Sequence, residues 1–389
     1  MGHRLKVLGA TLLIAGTTIG AGMLALPVIT AFAGFFPSLL LMLFVWLVML
    51  STAFFFLDVN LAVRGEPNLI SMAGRTLGKT GKAFTWIFYL LLLYSLTAAY
   101  IAAGAPLFKQ AILYATGYEI SDAVARFILP IFFAGFIYLG TIGVDWINRL
   151  LMVGLVVSYF LLVMFVPPYI QPQLYSHVDF PALKLAVTVV FTSFGFHIVI
   201  PSLTTYLDHN AKQLKIAILV GSTIPLIVYI LWQLIVLGAV PLDALQQAWA
   251  RGDSATTPLA AIVQSPFIAR AAQFFSFFAI VTSFLGVALS LSDFLTDGFK
   301  LKKSWEGRLI AIAVTFAPPL FFVFAYQRGF YLALQHAGAL VAILLGILPA
   351  MMAWTLKEHR FYRTGLGRAL LIAVILVSVS VIFFDIFAT

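Results

Sequence analysis

Two short stretches of this chain combine groups able to grip a small charged solute with residues that disfavour a regular helix. The first is Gly16-Thr17-Thr18-Ile19-Gly20-Ala21-Gly22-Met23-Leu24-Ala25-Leu26-Pro27, with three glycines, two threonines and a proline five residues after the last glycine. Glycine lacks a Cβ and loosens a helix, and proline removes a backbone donor. The second, Phe191-Thr192-Ser193-Phe194-Gly195-Phe196-His197-Ile198-Val199-Ile200-Pro201, repeats the scheme with hydroxyls, a glycine and a downstream proline. Both are set in apolar surroundings, where irregular backbone is tolerated only against protein or a wet cavity. A half-helix amino terminus there attracts a carboxylate, and unwound carbonyls take an ammonium group. A zwitterionic amino acid suits both.

Thr17, Thr18, Gly20, Ala21 and Gly22 are expected to line one side of such a site. Amides near Gly20–Gly22 would hold the carboxylate, with a hydroxyl added by Thr18. Phe194, Gly195 and Phe196 are expected on the other side, where a stacked ring gains about 0.5–1.5 kcal/mol beyond its buried area. An ionisable group at membrane depth is a functional candidate by default, so His197 is expected either to touch the solute or to couple its protonation to movement. The plainer reading is a hydrogen bond to a neighbouring helix. Tyr94, Thr97 and Tyr100 recur every three residues and give one helix a polar face. The Gln233 amide, beside Trp232, needs a buried partner, either the solute or another helix. Thr282 and Ser283 offer oxygen to a coupling cation or to a hydroxyl network. For both glycine-bearing stretches the bland alternative is close helix packing through small residues. Interfacial charge pairing is the plain account of Asp58, Asp293 and Asp297, whose alternatives are proton carriage and an inner gate, and His336 is placed at an interface.

The elements that must position these residues follow from composition. Hydrophobic residues make up 62% of the 389 and charged ones 10%, against about 45–50% and 25% in soluble domains. A span needs about 20 apolar residues. Eleven such runs appear, near Lys6–Phe32, Pro37–Val63, Lys82–Tyr114, Asp122–Ile142, Trp146–Val166, Lys184–Tyr206, Ala211–Val240, Pro266–Leu295, Arg308–Ala325, Tyr331–Leu356 and Leu366–Phe387. With the amino terminus inside, 17 of the 23 Lys and Arg fall on the cytoplasmic side, Arg4, Arg64, Lys302, Lys303 and Lys357 among them. That bias orients the chain and places the carboxyl terminus on the opposite side. It also accounts for the net charge of +9 without nucleic acid. The first run is too long for a cleaved leader and stays as a helix. A short surface helix is expected within Gly65–Gly81, and the Pro241–Ser265 connection reads as a loop with a turn at Thr256–Pro258. There is no cysteine, and no paired metal-ligand motif or cofactor signature is present.

The glycine-bearing stretches fall in spans one and six. An offset of five is odd, so two five-helix blocks cross in opposite senses and form an inverted repeat. Residues 1–170 make the first repeat, 171–356 the second, and 357–389 an additional helix.

These residues carry a family resemblance. Gly16–Pro27 followed by Thr192–His197 closely resembles the tyrosine and tryptophan permeases of the hydroxy and aromatic amino acid permease family, within the amino acid–polyamine–organocation superfamily. Ala99-Tyr100-Ile101, Leu231-Trp232-Gln233, Thr282–Val287 with Asp293, and Gly346–Pro349 extend the likeness over essentially the whole chain. The resemblance implies the leucine-transporter-like five-plus-five fold with discontinuous helices 1 and 6 plus one helix. It also implies uptake of aromatic amino acids, tyrosine foremost, by proton symport through alternating access in a bacterial-type inner membrane. Sodium remains the alternative coupling ion, since related sodium-coupled transporters hold it with hydroxyls of span eight and carbonyls of span one. The motifs do not separate tyrosine from tryptophan or phenylalanine.

Other classes fit less well. The 14 acidic residues and six histidines are scattered singly, which argues against a membrane enzyme. No charged ring or symmetric filter marks a channel, and no tail marks a sensor.

Overall fold

In the computed structural model the described residues are 3–388 except 64, 66, 140, 302, 303, 327, 357 and 358. Arg64, Lys302, Lys303 and Lys357, counted above on the basic side, lie outside the described residues, as does the side chain of Arg4. The chain begins with α1 (His3–Thr18) and α2 (Gly22–Thr30), whose axes differ by 54° across the intervening break. A turn at Gly34, with φ of 89°, leads into α3 (Phe35–Ala62). A left-handed φ is at home on glycine. A Cβ at Gly34 would also collide with the His177 carbonyl oxygen. From the same loop, His177 Nε2 lies 2.8 Å from the Phe32 carbonyl, and the Asp179 amide donates to Ala33 at 2.9 Å. A segment distant in sequence thus clamps this turn.

The surface helix expected before residue 81 is α4 (Leu69–Thr76), begun by a reciprocal capping box between Asn68 and Ser71. The next, α5 (Gly78–Thr116), has 39 residues, roughly 58 Å at 1.5 Å per residue. That outruns a bilayer core. Then come α6 (Asp122–Leu139) and α7 (Thr141–Phe165). Three short 3₁₀ turns carry the chain over residues 167–185, each with proline in its first two positions, where the missing amide costs no hydrogen bond. The second interrupted helix is α8 (Val187–Ser193) and α9 (Ile200–Tyr206), separated by Phe194–Phe196 and a 3₁₀ turn at His197–Val199. After α10 (Ala211–Ala239), the connection read as a loop is helical in two places. It holds α11 (Leu242–Arg251) and α12 (Thr256–Val263). The loop reading failed because Pro258 and the paired threonines occupy the first turn of α12, where such residues suit a helix.

The chain closes with α13 (Pro266–Gly298), α14 (Trp305–Ala325), α15 (Gly329–Val341), a π-helical stretch Ala342–Ile347, α16 (Leu348–Trp354), α17 (Arg360–Arg363) and α18 (Gly365–Ala388). Among the described residues nine helical stretches are long and apolar enough to cross a membrane, and the bent pair α1 and α2 makes a tenth. The place of the expected fourth span is taken by α6, a helix of 18 residues. Helix α1 packs along α10, while α5 is held between α13, α14 and α15. The most apolar window of α18 is 22% buried, against 72% for the stretch from α15 to α16. The former therefore lies at the periphery and the latter inside the bundle.

Gly34→Ala is expected to destabilise the protein by about 1–2 kcal/mol, the cost of a left-handed residue bearing a Cβ, with a further penalty from the His177 carbonyl. Thermal unfolding in detergent reads this as a lowered midpoint; an unchanged midpoint would remove the clamp.

Candidate substrate site

Both helix breaks line one cavity of about 440 Å³. The first contributes Gly16 to Gly22 without a gap, and the second Thr192, Ser193, Gly195, Ile198 and Val199. The remaining wall is mostly apolar, with Tyr89, Leu96 and Tyr100 of α5, Met152 of α7 and Leu345 of the π-helical stretch. Thr282, Ser283 and Ser290 of α13 add hydroxyls, and Asn148 of α7 adds an amide. Polar groups thus concentrate where the backbone is irregular.

The glycines allow this approach. A Cβ on Gly20 would lie 2.5 Å from Ser283 Oγ, and one on Gly22 would lie 3.0 Å from Ser193 Oγ. Without those carbons, the Ala21 amide donates to Ser283 Oγ at 3.0 Å. The first amides of α2 have no carbonyl one turn back, the general condition of a helix start. Two of them settle for shorter bonds, Met23 to Gly20 and Leu24 to Ala21, both 3.1 Å. At the end of α1, Thr17 and Thr18 donate back to the Leu13 and Ile14 carbonyls at 2.7 Å. Thr282 does the same to Phe278 at 2.7 Å. These hydroxyls have spent their proton, and their lone pairs remain to accept.

The carbonyls released by the breaks are gathered by one helix. Tyr229 Oη on α10 lies 2.6 Å from the Thr18 carbonyl and 3.0 Å from the Ser193 carbonyl, so its single proton is shared between the two breaks. One turn on, Trp232 Nε1 donates to the Met23 carbonyl at 2.9 Å. The Gln233 amide and the Thr30 hydroxyl pair at 2.8 Å. Residues three and four apart share a helix face, and all three side chains are buried.

Of the residues expected at the site, Thr17, Thr18, Gly20, Ala21, Gly22, Tyr100, Gly195, Thr282 and Ser283 border the cavity. The others lie outside its lining. Tyr94 donates to the Val314 carbonyl of α14 at 3.1 Å, and Thr97 to Leu93 of its own helix at 2.7 Å. The Phe194 ring packs on Tyr229 with centroids 5.4 Å apart, and Phe196 on His197 at 5.0 Å. The His197 ring is fully buried, with Nε2 2.8 Å from the Thr52 hydroxyl of α3 and Phe56 edge-on at 6.1 Å. It ties the second break to α3. Gln233 takes the interhelical option. Tyr229 was not anticipated, although its spacing from Trp232 and Gln233 marks the face. Neither were Ser193, Tyr89 and Asn148, whose types alone do not distinguish them from packing residues. Among the described residues, no group of three His, Asp or Glu side chains could hold a metal ion.

The cavity continues from the breaks toward Leu12, Leu13, Asn148 and Ser290, on the amino-terminal side of α1. On the other side, the α11–α12 connection covers α2, where the Ala255 amide donates to Leu24 at 3.0 Å and the Phe32 and Trp249 rings meet at 5.4 Å. Tyr331 Oη reaches the Asp253 carbonyl at 2.5 Å, and the Arg328 guanidinium lies 4.4 Å from the Trp249 ring centre. Burial pushes the Asp253 carboxyl above the usual carboxylate range, with Arg251 acting in the opposite direction. These contacts tie the connection down over α2.

A model of the tryptophan/tyrosine permease family matches residues 3–385. The chain belongs to that family. It is 36% identical to "Tyrosine-specific transport system 1" of Haemophilus influenzae, over 97% of this chain and 95% of that protein. The same organism's "Tyrosine-specific transport system 2" is 33% identical over 97% and 95%. Its "Tryptophan-specific transport protein" is 34% identical over 90% and 87%. This permease is therefore a multi-pass membrane protein and not an enzyme, and the resemblance drawn from the two glycine-bearing stretches holds over nearly the whole chain.

Tyr229→Phe leaves two buried carbonyls short of a donor and is expected to cost about 1–3 kcal/mol. The check is the unfolding midpoint in detergent, which should fall; wild-type stability would show that the carbonyls have other partners.

Proposed function

We propose that this permease is a secondary active transporter of aromatic amino acids, tyrosine foremost, working by alternating access with proton symport into the cytoplasm. The observation that carries the reading is the meeting of two interrupted helices on one cavity, bridged by the Tyr229 hydroxyl. The names of the tyrosine- and tryptophan-specific relatives support the substrate class. In this reading the amides of Gly20 and Gly22, on either side of the Ala21 amide held by Ser283, receive the substrate carboxylate, and the carbonyls of the two breaks receive its ammonium group. Its ring lies against Tyr100, Leu96 and Leu345, where the wall is apolar. Phe194, Phe196, His197 and Gln233 act one layer behind, by fixing the breaks.

The proposed architecture is the eleven-span, five-plus-five inverted repeat, with residues 1–170 and 171–356 as repeats and 357–389 as the added helix. With the amino terminus in the cytoplasm of a bacterial cell and the carboxyl terminus outside the inner membrane, the cavity faces inward and the α11–α12 connection is the closed outer gate. Alternating access then requires that connection to lift while the breaks pivot. A sodium-coupled variant rests on one observation: Thr282 and Ser283 border the cavity beside Gly20 and Ala21.

Proteoliposomes loaded with unlabelled tyrosine should take up labelled tyrosine by counterflow, with tryptophan and phenylalanine competing more strongly than histidine. No exchange with any aromatic amino acid would end the proposal. An inwardly directed proton gradient should drive accumulation in sodium-free buffer, and accumulation that appears only with sodium would transfer coupling to the second reading. Gly20→Val should cut exchange at least about tenfold, the factor for 1.4 kcal/mol, because the added carbons take the space of Ser283 Oγ.

A further inference from the structure

A second cavity, of about 260 Å³, opens where the chain passes from α16 to α18, and it shares no residue with the central one. Its walls are Trp354, Leu356, Tyr362, Arg363 and Arg368. Both arginine side chains are exposed, and among the described residues neither meets a carboxylate. The neighbouring acid, Asp58 of α3, is already engaged. It accepts the Tyr362 hydroxyl at 2.6 Å, with His359 Nε2 at 3.5 Å and Lys215 Nζ at 3.9 Å. Those contacts, with the His359 ring stacked on Tyr362 at 4.4 Å, fix the inner wall, and among the described residues no carboxylate is left to pair with the two guanidinium groups.

What would neutralise them follows from shape and surroundings. Two guanidinium forks in one pocket match the oxygens of a phosphate, which each can bind through paired hydrogen bonds. The pocket lies at the start of α18, and the dipole of a helix start favours an anion. Beside the charges the same elements expose large apolar side chains, with Trp354 50% and Leu366 74% accessible. A soluble phosphate gains nothing from that skirt. A phospholipid does: its acyl chains cover the apolar surface while its headgroup meets the arginines. Tryptophan at this level is the usual companion of lipid headgroups.

We propose that this pocket is a binding site for the phosphate of an anionic phospholipid, gripped by Arg363 and Arg368 with the chains laid against Trp354 and Leu366. One lipid then touches α16, α17 and α18 together. That contact matters because α18 has little protein around it.

The test uses the full-length protein in a neutral detergent, titrated with phosphatidylglycerol or phosphatidylcholine, with bound lipid counted by native mass spectrometry and the unfolding midpoint followed in parallel. Phosphatidylglycerol should bind in preference and raise the midpoint, while phosphatidylcholine should not. Removing both charges in R363Q/R368Q should weaken phosphatidylglycerol binding about thirtyfold, at roughly fivefold per arginine. The variant K79Q/K212Q takes two exposed lysines from the same basic face, and it should bind the lipid like wild type. Equal loss in both variants would reduce the pocket to general surface charge and overturn the proposal. So would unchanged binding in R363Q/R368Q, or a midpoint raised as far by millimolar inorganic phosphate alone. Should R363Q/R368Q unfold before titration, R363K/R368K provides the second arm: it keeps the charge but loses the fork, and its affinity must still fall.

Discussion

A single phenolic proton, shared by Tyr229 between the Thr18 and Ser193 carbonyls, is the contact on which the rest of the site depends. Two helices that stop inside an apolar bundle each release backbone groups from their intrahelical bonds, and every such group buried away from the cavity needs a new partner. By satisfying one carbonyl from each break with one side chain, α10 fixes the distance between them. Trp232 and Gln233 extend the same service to Met23 and Thr30. The opposite wall answers with Ser283, which takes the Ala21 amide. What these partners leave unsatisfied is directed at the cavity, and that remainder is what a zwitterion can use.

The arrangement is unequal from end to end. On the α2 side, aromatic rings and the α11–α12 connection lie over the break. On the α1 side, Leu12, Leu13 and Asn148 line the cavity itself. Thr52 and His197 keep the second break attached to α3, so movement of that break must carry α3 with it or sever the bond. Helix α3 also carries Asp58, the acid that organises the α16–α18 junction. Thr52 and Asp58, both in the second half of α3, therefore connect the central site to the periphery through hydrogen bonds.

Much of this was legible in the residues. Glycine, hydroxyl and proline at membrane depth announce an interrupted helix, and both interruptions are present. The family likeness rested on the same stretches. Less legible was which polar side chains face inward. Tyr94, Thr97 and Tyr100 share a face by spacing, yet only Tyr100 reaches the cavity, because Tyr94 turns to a carbonyl of α14 and Thr97 to one of its own helix. His197 was a candidate because an ionisable group at membrane depth is costly; its Nε2 pairs with the Thr52 hydroxyl, 145 residues away in sequence. Tyr229 escaped notice because its spacing from Trp232 and Gln233 marks a shared face but does not say which carbonyls that face meets. Pairings of that kind arise from tertiary contacts, and periodicity does not encode them. The helices within residues 241–265 were missed because turn-forming residues also begin helices.

The most direct measurement is a cryo-electron microscopy map of the protein in nanodiscs saturated with tyrosine. The account predicts density for the amino acid between Gly20–Gly22 and Ser193–Gly195, its carboxylate toward the start of α2 and its ring toward Tyr100. Continuous helices through residues 19–21 and 194–199, or tyrosine density anywhere but between the breaks, would contradict it.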